Sequence, residues 1–265
     1  MSNLFDLSQE VAVIIGATGV LGGALADGLA AAGAKVAVLG RNAERGEARA
    51  QAIRKAGGIG QYFAADALDR ASLAKAHEVI TRELGAPTVL VNAAGGNDPK
   101  VTVTPERPFE SINLDDWRTN FEMNLVGGVL LPCQEFGPAM AQRGKGSIIN
   151  IASVSAHLPL SRVVAYSSSK AAVISLSQFL AREWATKGVR VNTINPWLLP
   201  GGTKPQAALQ RRWHAHRAHE IHLGPHAHEP LRRIAGIDRR RRLPRRAGCQ
   251  QLYHRHGHPR RWRAS

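Results

Sequence analysis

Two side chains that could exchange a proton lie one helical turn apart. Tyr166 and Lys170 flank three serines within a predicted helix over 162–187. Residues four apart share one face of a helix, so the phenol and the ammonium are expected to be neighbours. The ordinary pKa of a tyrosine is about 10, and a nearby positive charge stabilises the phenolate. The pair therefore predicts a tyrosine of lowered pKa that acts as a general acid or base.

A glycine-rich turn follows the first apolar run of the chain. It reads Gly16-Ala17-Thr18-Gly19-Val20-Leu21-Gly22-Gly23 and opens a predicted helix over 21–32. Glycines let a backbone approach a pyrophosphate, and the helix N-terminus offers unpaired N–H groups. The turn predicts dinucleotide contacts from Gly16, Thr18, Gly19, Val20, Leu21 and Gly22. The alternative is a tight strand-to-helix turn whose glycines serve packing alone.

The end of the second predicted strand bears on which dinucleotide binds. An acidic residue there would bind the ribose 2′-hydroxyl of NAD and repel the 2′-phosphate of NADP. The sequence instead reads Leu39-Gly40-Arg41-Asn42. Arg41, together with the absence of an acidic residue there, favours NADP over NAD. The alternative is that Arg41 is an exposed residue at the start of a helix and does not contact the dinucleotide.

Strands and helices alternate regularly as far as Pro196, and these elements must position the reactive groups. Strands are predicted over 11–16, 35–39, 62–64, 88–92, 147–152 and 189–194. Helices are predicted over 21–32, 42–56, 70–84, 114–142 and 162–187. Such alternation implies right-handed crossovers and a doubly wound parallel sheet in an α/β domain.

Several motifs in consistent order resemble those of the short-chain dehydrogenase/reductase family. Asn92-Ala93-Ala94-Gly95 ends the fourth predicted strand, Asn124 lies in Met123-Asn124-Leu125, and Ser153 lies thirteen residues before Tyr166. Together with the glycine-rich turn and Lys170, the resemblance covers about three quarters of the chain. It implies a Rossmann fold and NAD(P)-dependent oxidoreductase activity.

The resemblance also implies roles for particular residues. Asn124, Ser153, Tyr166 and Lys170 would form the catalytic tetrad: Tyr166 exchanges the proton, Ser153 polarises the substrate oxygen, Lys170 holds the ribose hydroxyls, and Asn124 orders a relay water. The implied cofactor contacts include Asp66 at the adenine, with Asn92, Ala93, Gly95, Tyr166, Lys170 and Pro196. Two positions depart from the family pattern, since Ile15 replaces a usual threonine and Val20 stands where a glycine is common.

The substrate class follows from a narrower resemblance. The segment 95–100 and the glycine-rich turn are similar to the D-mannonate (fructuronate) oxidoreductase and gluconate 5-dehydrogenase group, which implies a sugar-acid substrate such as fructuronate or mannonate. Lys100, His157 and Arg162 are candidate contacts for its carboxylate. One alternative is a 3-oxoacyl-carrier-protein reductase, because the tetrad alone does not choose a substrate. The other is an inactive nucleotide-binding protein whose basic tail binds nucleic acid.

The composition narrows the class of protein. The 265 residues can form one α/β domain with a substantial core. Cys133 and Cys249 are the two cysteines of the chain, and they have no metal-ligand spacing around them. No apolar run reaches the ~18 residues of a membrane span, and the N-terminus does not resemble a signal peptide. We expect a soluble, cytoplasmic protein without a metal ion or membrane partner.

Positive charge is concentrated after residue 196. The net charge is +15, yet residues 1–196 hold 19 Lys and Arg against 17 Asp and Glu, whereas residues 197–265 hold 16 against 3. Few apolar residues recur there at the period of a helix or strand. We divide the chain into a Rossmann-type domain over 1–196 and a poorly ordered Arg/His-rich tail over 197–265.

The genetic code suggests the origin of this tail. Trp197 is encoded only by TGG, and its last two bases joined to the first base of a leucine codon encode glycine, as in the Pro-Gly pair that follows the family's sixth strand. Residues 249–263 regroup in the same frame, with permitted third bases, to Ala-Ser-Ser-Phe-Ile-Thr-Gly-Thr-Val-Ile-Pro-Val-Asp-Gly-Gly, which resembles the family's seventh strand. We hypothesise a frameshift that replaces this strand and the substrate lid. The tail's charge then says nothing about partners, nucleic acid becomes an unlikely one, and the homotetramer that the family implies loses its C-terminal contacts.

Overall fold

Six parallel strands form the centre of the computed structural model, which describes residues 5–158 and 162–197. The strands are β1 (Val11–Ile15), β2 (Lys35–Gly40), β3 (Ile59–Ala64), β4 (Val89–Asn92), β5 (Gly146–Ile151) and β6 (Val189–Ile194). Their order in the sheet is β3-β2-β1-β4-β5-β6. The predicted Rossmann-type parallel sheet is thus confirmed, while the predicted tail and the replaced strand and lid lie outside the described residues.

Helices cover both faces of this sheet. They are α1 (Val20–Ala31), α2 (Ala43–Lys55), α3 (Arg70–Glu83), α4 (Leu114–Phe121), α5 (Leu131–Arg143) and α6 (Val164–Trp184), and the π-helical segment Glu122–Leu130 joins α4 to α5. Most bounds lie within two residues of those predicted, but β3 begins three residues early. Helix α6 begins two residues late because Arg162, with a φ of +78°, has left the helical region.

The core has two layers because alternate strand residues point to opposite faces. Val13 and Ile15 of β1 pack in a cluster with Phe136 of α5 and Val173 of α6, whereas Ala12 and Ile14 pack in a cluster with residues of α1 and α2. All five residues of β1 are buried. Their continuous apolar run is typical of a parallel strand that is covered on both sides.

The order of the strands reverses beside β1. This strand pairs with β2 on one side and with β4 on the other. The chain therefore turns toward β2 after β1 but toward β5 after β4. These opposite directions open a crevice between the carboxyl ends of β1 and β4. The glycine-rich turn follows β1 and Gly95 follows β4, so both motifs lie at this crevice.

Within residues 5–158 and 162–197, no helix is both long and apolar enough to cross a membrane. The same ranges contain no cluster of three or more His, Cys, Asp or Glu side chains that could hold a metal ion.

Candidate active site

A first cavity lies at the carboxyl ends of β1, β2 and β4. Its volume is about 270 Å³. Its lining includes the predicted cofactor contacts Gly16, Thr18, Gly19, Arg41, Asp66, Ala93 and Gly95. Residues from four different loops therefore meet around one elongated space.

The glycine-rich turn leaves the start of α1 open to a phosphate. Gly16 has a φ of +81°, and a Cβ on Gly22 would lie 2.3 Å from the Gly16 carbonyl oxygen, so both positions require glycine. The N-cap residue Gly19 places no side chain over the helix end, and the first turn of α1 carries no acidic residue. Free N–H groups and the positive helix end suit a pyrophosphate, so these residues fit a dinucleotide.

Two arginines lie at the adenosine end of this cavity. Arg41 Nη1 is 4.0 Å from Asp66 Oδ2, and Arg45 Nη2 donates to the Thr18 carbonyl at 2.8 Å. Both arginines line the cavity, together with Gly40 in place of an acidic side chain. This part of the rim therefore carries two guanidinium groups and one carboxylate.

The second cavity contains the reactive side chains. Its volume is about 310 Å³. Ser153 and Tyr166 line it with Asn97 and Gly96, and the predicted cofactor contacts Leu21 and Pro196 complete part of its wall. Tyr166 and Ser153 are hydrogen-bonded. The Ser153 hydroxyl also accepts from the Ser155 hydroxyl at 3.0 Å, which orients it.

Burial governs the ionisation of the tyrosine. Desolvation raises the pKa of Tyr166 above its ordinary value, and the hydrogen bond with Ser153 lowers it by less. The expected lowering of this pKa is therefore not produced by the protein's own groups. The physical reason is that the phenolate loses water in the cavity wall, and the Ser153 hydroxyl offsets only part of that cost.

Lys170 is an ammonium that the fold has removed from water. It is 3% exposed, and Nζ donates to the Ile151 carbonyl at 2.8 Å. The same atom lies 5.6 Å from the centre of the Tyr166 ring. Desolvation lowers the pKa of Lys170 to about 8. The predicted proximity of the two side chains on one helix face is thus found, and an anionic group beside Nζ would be strongly attracted.

Asn124 lies on the other side of the Gly95 turn. Its Oδ1 accepts from the Gly96 N–H at 2.9 Å, and its Nδ2 donates to the Gly96 carbonyl at 2.8 Å. A Cβ on Gly95 would meet Asn124 Oδ1 at 2.5 Å and Lys170 Nζ at 3.4 Å. The fold therefore brings all four residues of the predicted tetrad around the two cavities.

Other residues singled out in the sequence occupy different surroundings. Asn92 is buried beneath the cavities and donates to Asn150 Oδ1 at 2.8 Å, while Val20 is 77% exposed and Gly22 packs against Gly16. Lys100 pairs with Asp116 at 3.6 Å. His157 and Arg162 are exposed, and the Arg162 carbonyl accepts from the Val103 N–H.

Sequence reasoning missed several residues of the two cavities. Arg45 is one of several charged residues on the exposed side of α2, and Asn97 and Trp197 lie in irregular segments, so neither charge nor periodicity distinguishes them. The signal that could have found Arg45 is its spacing of four from Arg41, at the start of the helix after β2. Asn97 is adjacent to the recognised Gly95 motif.

Comparisons with known proteins agree with this geometry. A family model described as short chain dehydrogenase matches residues 10–212. D-threitol dehydrogenase of Mycolicibacterium smegmatis is 39% identical over 192 residues, which are 72% of this chain and 71% of that protein. The uncharacterized oxidoreductase UxuB of Bacillus subtilis is 39% identical over 199 residues, with the same two shares.

Solved structures extend the likeness to three dimensions. A candidate D-mannonate oxidoreductase from Haemophilus influenzae, with bound NAD, has a TM-score of 0.71 at 32% identity and covers 78% of each chain. A gluconate 5-dehydrogenase from Burkholderia cenocepacia, in complex with NADP and tartrate, has a TM-score of 0.68 at 30% identity, covering 78% of this chain and 77% of that one. The resemblance to the D-mannonate oxidoreductase and gluconate 5-dehydrogenase group is thus confirmed.

Proposed function

Since this chain belongs to the short-chain dehydrogenase family and is an NAD(P)-dependent oxidoreductase, we propose that it interconverts a secondary alcohol and a ketone on a sugar acid or polyol. The observation that carries the proposal is the arrangement of Ser153 and Tyr166 in one cavity, with Lys170 behind the phenol. A phenol that is hydrogen-bonded to a serine hydroxyl can accept the hydroxyl proton of an alcohol that enters the cavity, or return it to the alkoxide.

Each residue of the tetrad has a separate task in this proposal. Tyr166 takes the hydroxyl proton during oxidation or returns it during reduction, while the Ser153 hydroxyl donates to the substrate oxygen and holds it beside the phenol. The chemistry that a nicotinamide dinucleotide supplies when bound is acceptance or donation of the hydride. Lys170 holds the ribose hydroxyls, and its charge stabilises a phenolate. Asn124 fixes the Gly95-Gly96 turn on which both cavities border.

A polyhydroxylated substrate is supported by Asn97, a polar side chain that lines the same cavity as Ser153. Asn97 Nδ2 donates to the Thr102 hydroxyl at 2.8 Å, which leaves its carbonyl oxygen available to a substrate hydroxyl. Such an acceptor would favour a polyol over an acyl chain, because an apolar chain that covered the exposed Asn97 oxygen would leave it unpaired and cost binding energy. The substrate names of the threitol, mannonate and gluconate relatives agree with that preference. The finer proposal is a sugar acid such as fructuronate or mannonate.

NADP is the proposed dinucleotide. Arg41 and Arg45 line the adenosine end of the first cavity, and Gly40 offers no carboxylate to repel a 2′-phosphate. Guanidinium groups form charge-assisted hydrogen bonds with phosphate oxygens. The ion pair between Arg41 and Asp66 is exposed and long at 4.0 Å, so breaking it for a phosphate costs little.

A steady-state panel tests the proposal. The purified chain is assayed with mannonate, gluconate, threitol and a 3-oxoacyl substrate, each with NAD and NADP in the appropriate direction. We expect turnover with a sugar acid or polyol and a loss of about 10²–10⁴-fold in Tyr166→Phe. Tyr62→Phe is the matched control, because its hydroxyl donates to the Gly40 carbonyl and exchanges no substrate proton. Preference for the acyl substrate would contradict the polyol assignment.

For the tail over 197–265 we propose the out-of-frame origin given above. The alignment with each of the two relatives covers 72% of this chain and 71% of the relative. An unaligned share of similar size in this chain and in the two relatives is what a shifted frame would produce. Sequencing the gene across the codons for 195–198 tests this, and reads that support the printed frame would contradict it.

A further inference from the structure

A second buried asparagine contacts the Asn124 side chain. Asn120 lies in α4, one turn before Asn124, and is fully buried. Its backbone carbonyl accepts from Asn124 Nδ2 at 2.9 Å, and its side-chain Oδ1 lies 3.3 Å from the same nitrogen. Its own Nδ2 lies 3.4 Å from the Gly96 carbonyl. A buried amide of this kind is retained only where hydrogen bonds offset its desolvation.

The hydrogen bonds of the Asn124 amide leave it one orientation. Its NH2 group has two protons, of which one goes to the Gly96 carbonyl and the other is shared by the two oxygens of Asn120. Rotation of the amide by half a turn would place its oxygen against three acceptors. Asn120 therefore makes the reversed orientation unfavourable, and Asn124 Oδ1 is held toward the Gly96 N–H.

The orientation of the Asn124 amide affects both cavities, because Asn124 contacts Gly95 and Gly96, which line them. Gly95 separates Asn124 Oδ1 from Lys170 Nζ, and its φ of +132° is open to few other residues. Gly96 belongs to the wall of the cavity that contains Ser153 and Tyr166. A shift of the Asn124 amide would thus move the turn that lies between the ammonium and the reactive phenol.

We propose that Asn120 is a positioning residue for the reaction, acting through Asn124 to fix the Gly95-Gly96 turn. The inference rests on the proposed function for its kinetic consequence but not for its structural one. It assigns to α4 a part in the active site that the Tyr166 and Lys170 motif does not reveal. The π-helical segment that begins at Glu122 lets the Asn124 side chain turn back to the Asn120 carbonyl.

The sharpest variant is Asn120→Asp, which keeps the shape and the acceptor for Asn124. Burial raises the pKa of such a carboxyl. Below that pKa the protonated acid can donate to the Gly96 carbonyl as the amide does. Above that pKa the carboxylate has no proton to donate and repels the Gly96 carbonyl oxygen. We expect kcat relative to wild type to fall roughly 3-fold to 10-fold as pH rises through this pKa.

One further measurement, made on three variants, separates positioning from stability. Asn113→Ala removes the N-cap of the same helix and destabilises it without touching Gly96, so it is the matched control. Hydrogen exchange of the Gly96 amide should accelerate in Asn120→Asp at high pH and in Asn120→Leu, but not in Asn113→Ala at an equal loss in Tm. This measurement needs no substrate, so it decides the inference even if the wild-type chain shows no turnover. Unchanged exchange and a wild-type pH profile in Asn120→Asp would overturn it.

Discussion

Lys170 has a charge state that an unfolding experiment can follow. Burial lowers its pKa to about 8 from an ordinary value of 10.5. Between these pH values the unfolded chain keeps a proton that the folded chain has released, so the free energy of unfolding rises with pH. The raised pKa of Tyr166 acts in the opposite direction above about pH 10, which limits the useful window to pH 8–10.

The prediction concerns the difference between wild type and Lys170→Met, which has a similar length and no charge. We expect the free energy of unfolding of wild type, minus that of the variant, to increase from pH 8 to pH 10 in urea titrations. The wild-type chain suffers the cost of a buried ammonium at pH 8 and sheds it at pH 10. A difference that stays constant over this range would contradict the burial of Lys170.

Arg41 and Arg45 should discriminate between the two dinucleotides. Removal of either guanidinium by Arg41→Ala or Arg45→Ala should raise the KM for NADP about 10-fold to 100-fold, since a hydrogen bond to a charged group contributes ~1.5–3 kcal/mol. The KM for NAD should change little. Arg54→Ala, in the last turn of α2, is the control, because that arginine pairs with Glu47 away from the cavity. Equal effects on both dinucleotides would argue against a 2′-phosphate site.

The backbone at the start of α1 is tightly constrained by the turn that precedes it. A Cβ at position 22 would lie 2.3 Å from the Gly16 carbonyl oxygen, whereas a Cβ at position 28 of the same helix meets nothing within 4 Å. Gly22→Ala should therefore displace the helix from the turn and weaken dinucleotide binding at least about 10-fold, as measured by calorimetry.

Gly28→Ala is the matched substitution, and it should have the opposite sign. Alanine is favoured over glycine within a helix by about 1 kcal/mol, and this site has room for the methyl group. We expect a higher Tm and unchanged dinucleotide binding in Gly28→Ala. Loss of dinucleotide binding in both Gly22→Ala and Gly28→Ala would show that any substitution in this helix impairs binding. The contact between Gly16 and Gly22 would then not explain the effect.

Elements whose signals are local could be predicted from the sequence. Strand β6 was predicted at its observed bounds because an alternating apolar run lies between Gly188 and a proline. The π-helical segment was expected only as part of one helix over 114–142. Its shift in register depends on the buried contacts of Asn124 and Gly128 with the turn after β4, which no local pattern contains. The ionisation of Tyr166 was missed for the same reason, since spacing reveals the neighbouring lysine but not the desolvation.

The outer edge of β6 is a strand edge without a partner among the described residues. Among the described residues this strand pairs with β5 alone, and Ile194 and Trp197 are 40% and 59% exposed. An edge strand with unpaired N–H and C=O groups and apolar side chains is a place where another strand could pair. The frameshift hypothesis supplies one, because residues 249–263 regroup to a segment that resembles the family's seventh strand.

Three chains compared side by side test that argument: the printed chain, a chain with the frame restored after Pro196, and a chain that ends at Pro196. We expect the frame-restored chain to have the highest Tm and kcat, because pairing along β6 would satisfy its edge and cover Ile194. The other two should resemble each other if the tail has no role. Salt-dependent RNA binding by the printed chain that is lost on ending at Pro196 would give the basic tail a function of its own, since phosphate contacts weaken steeply with salt. The net charge of +15 would then indicate a nucleic-acid partner. If the printed chain and the chain that ends at Pro196 bind RNA equally weakly, that charge is a consequence of the reading frame alone.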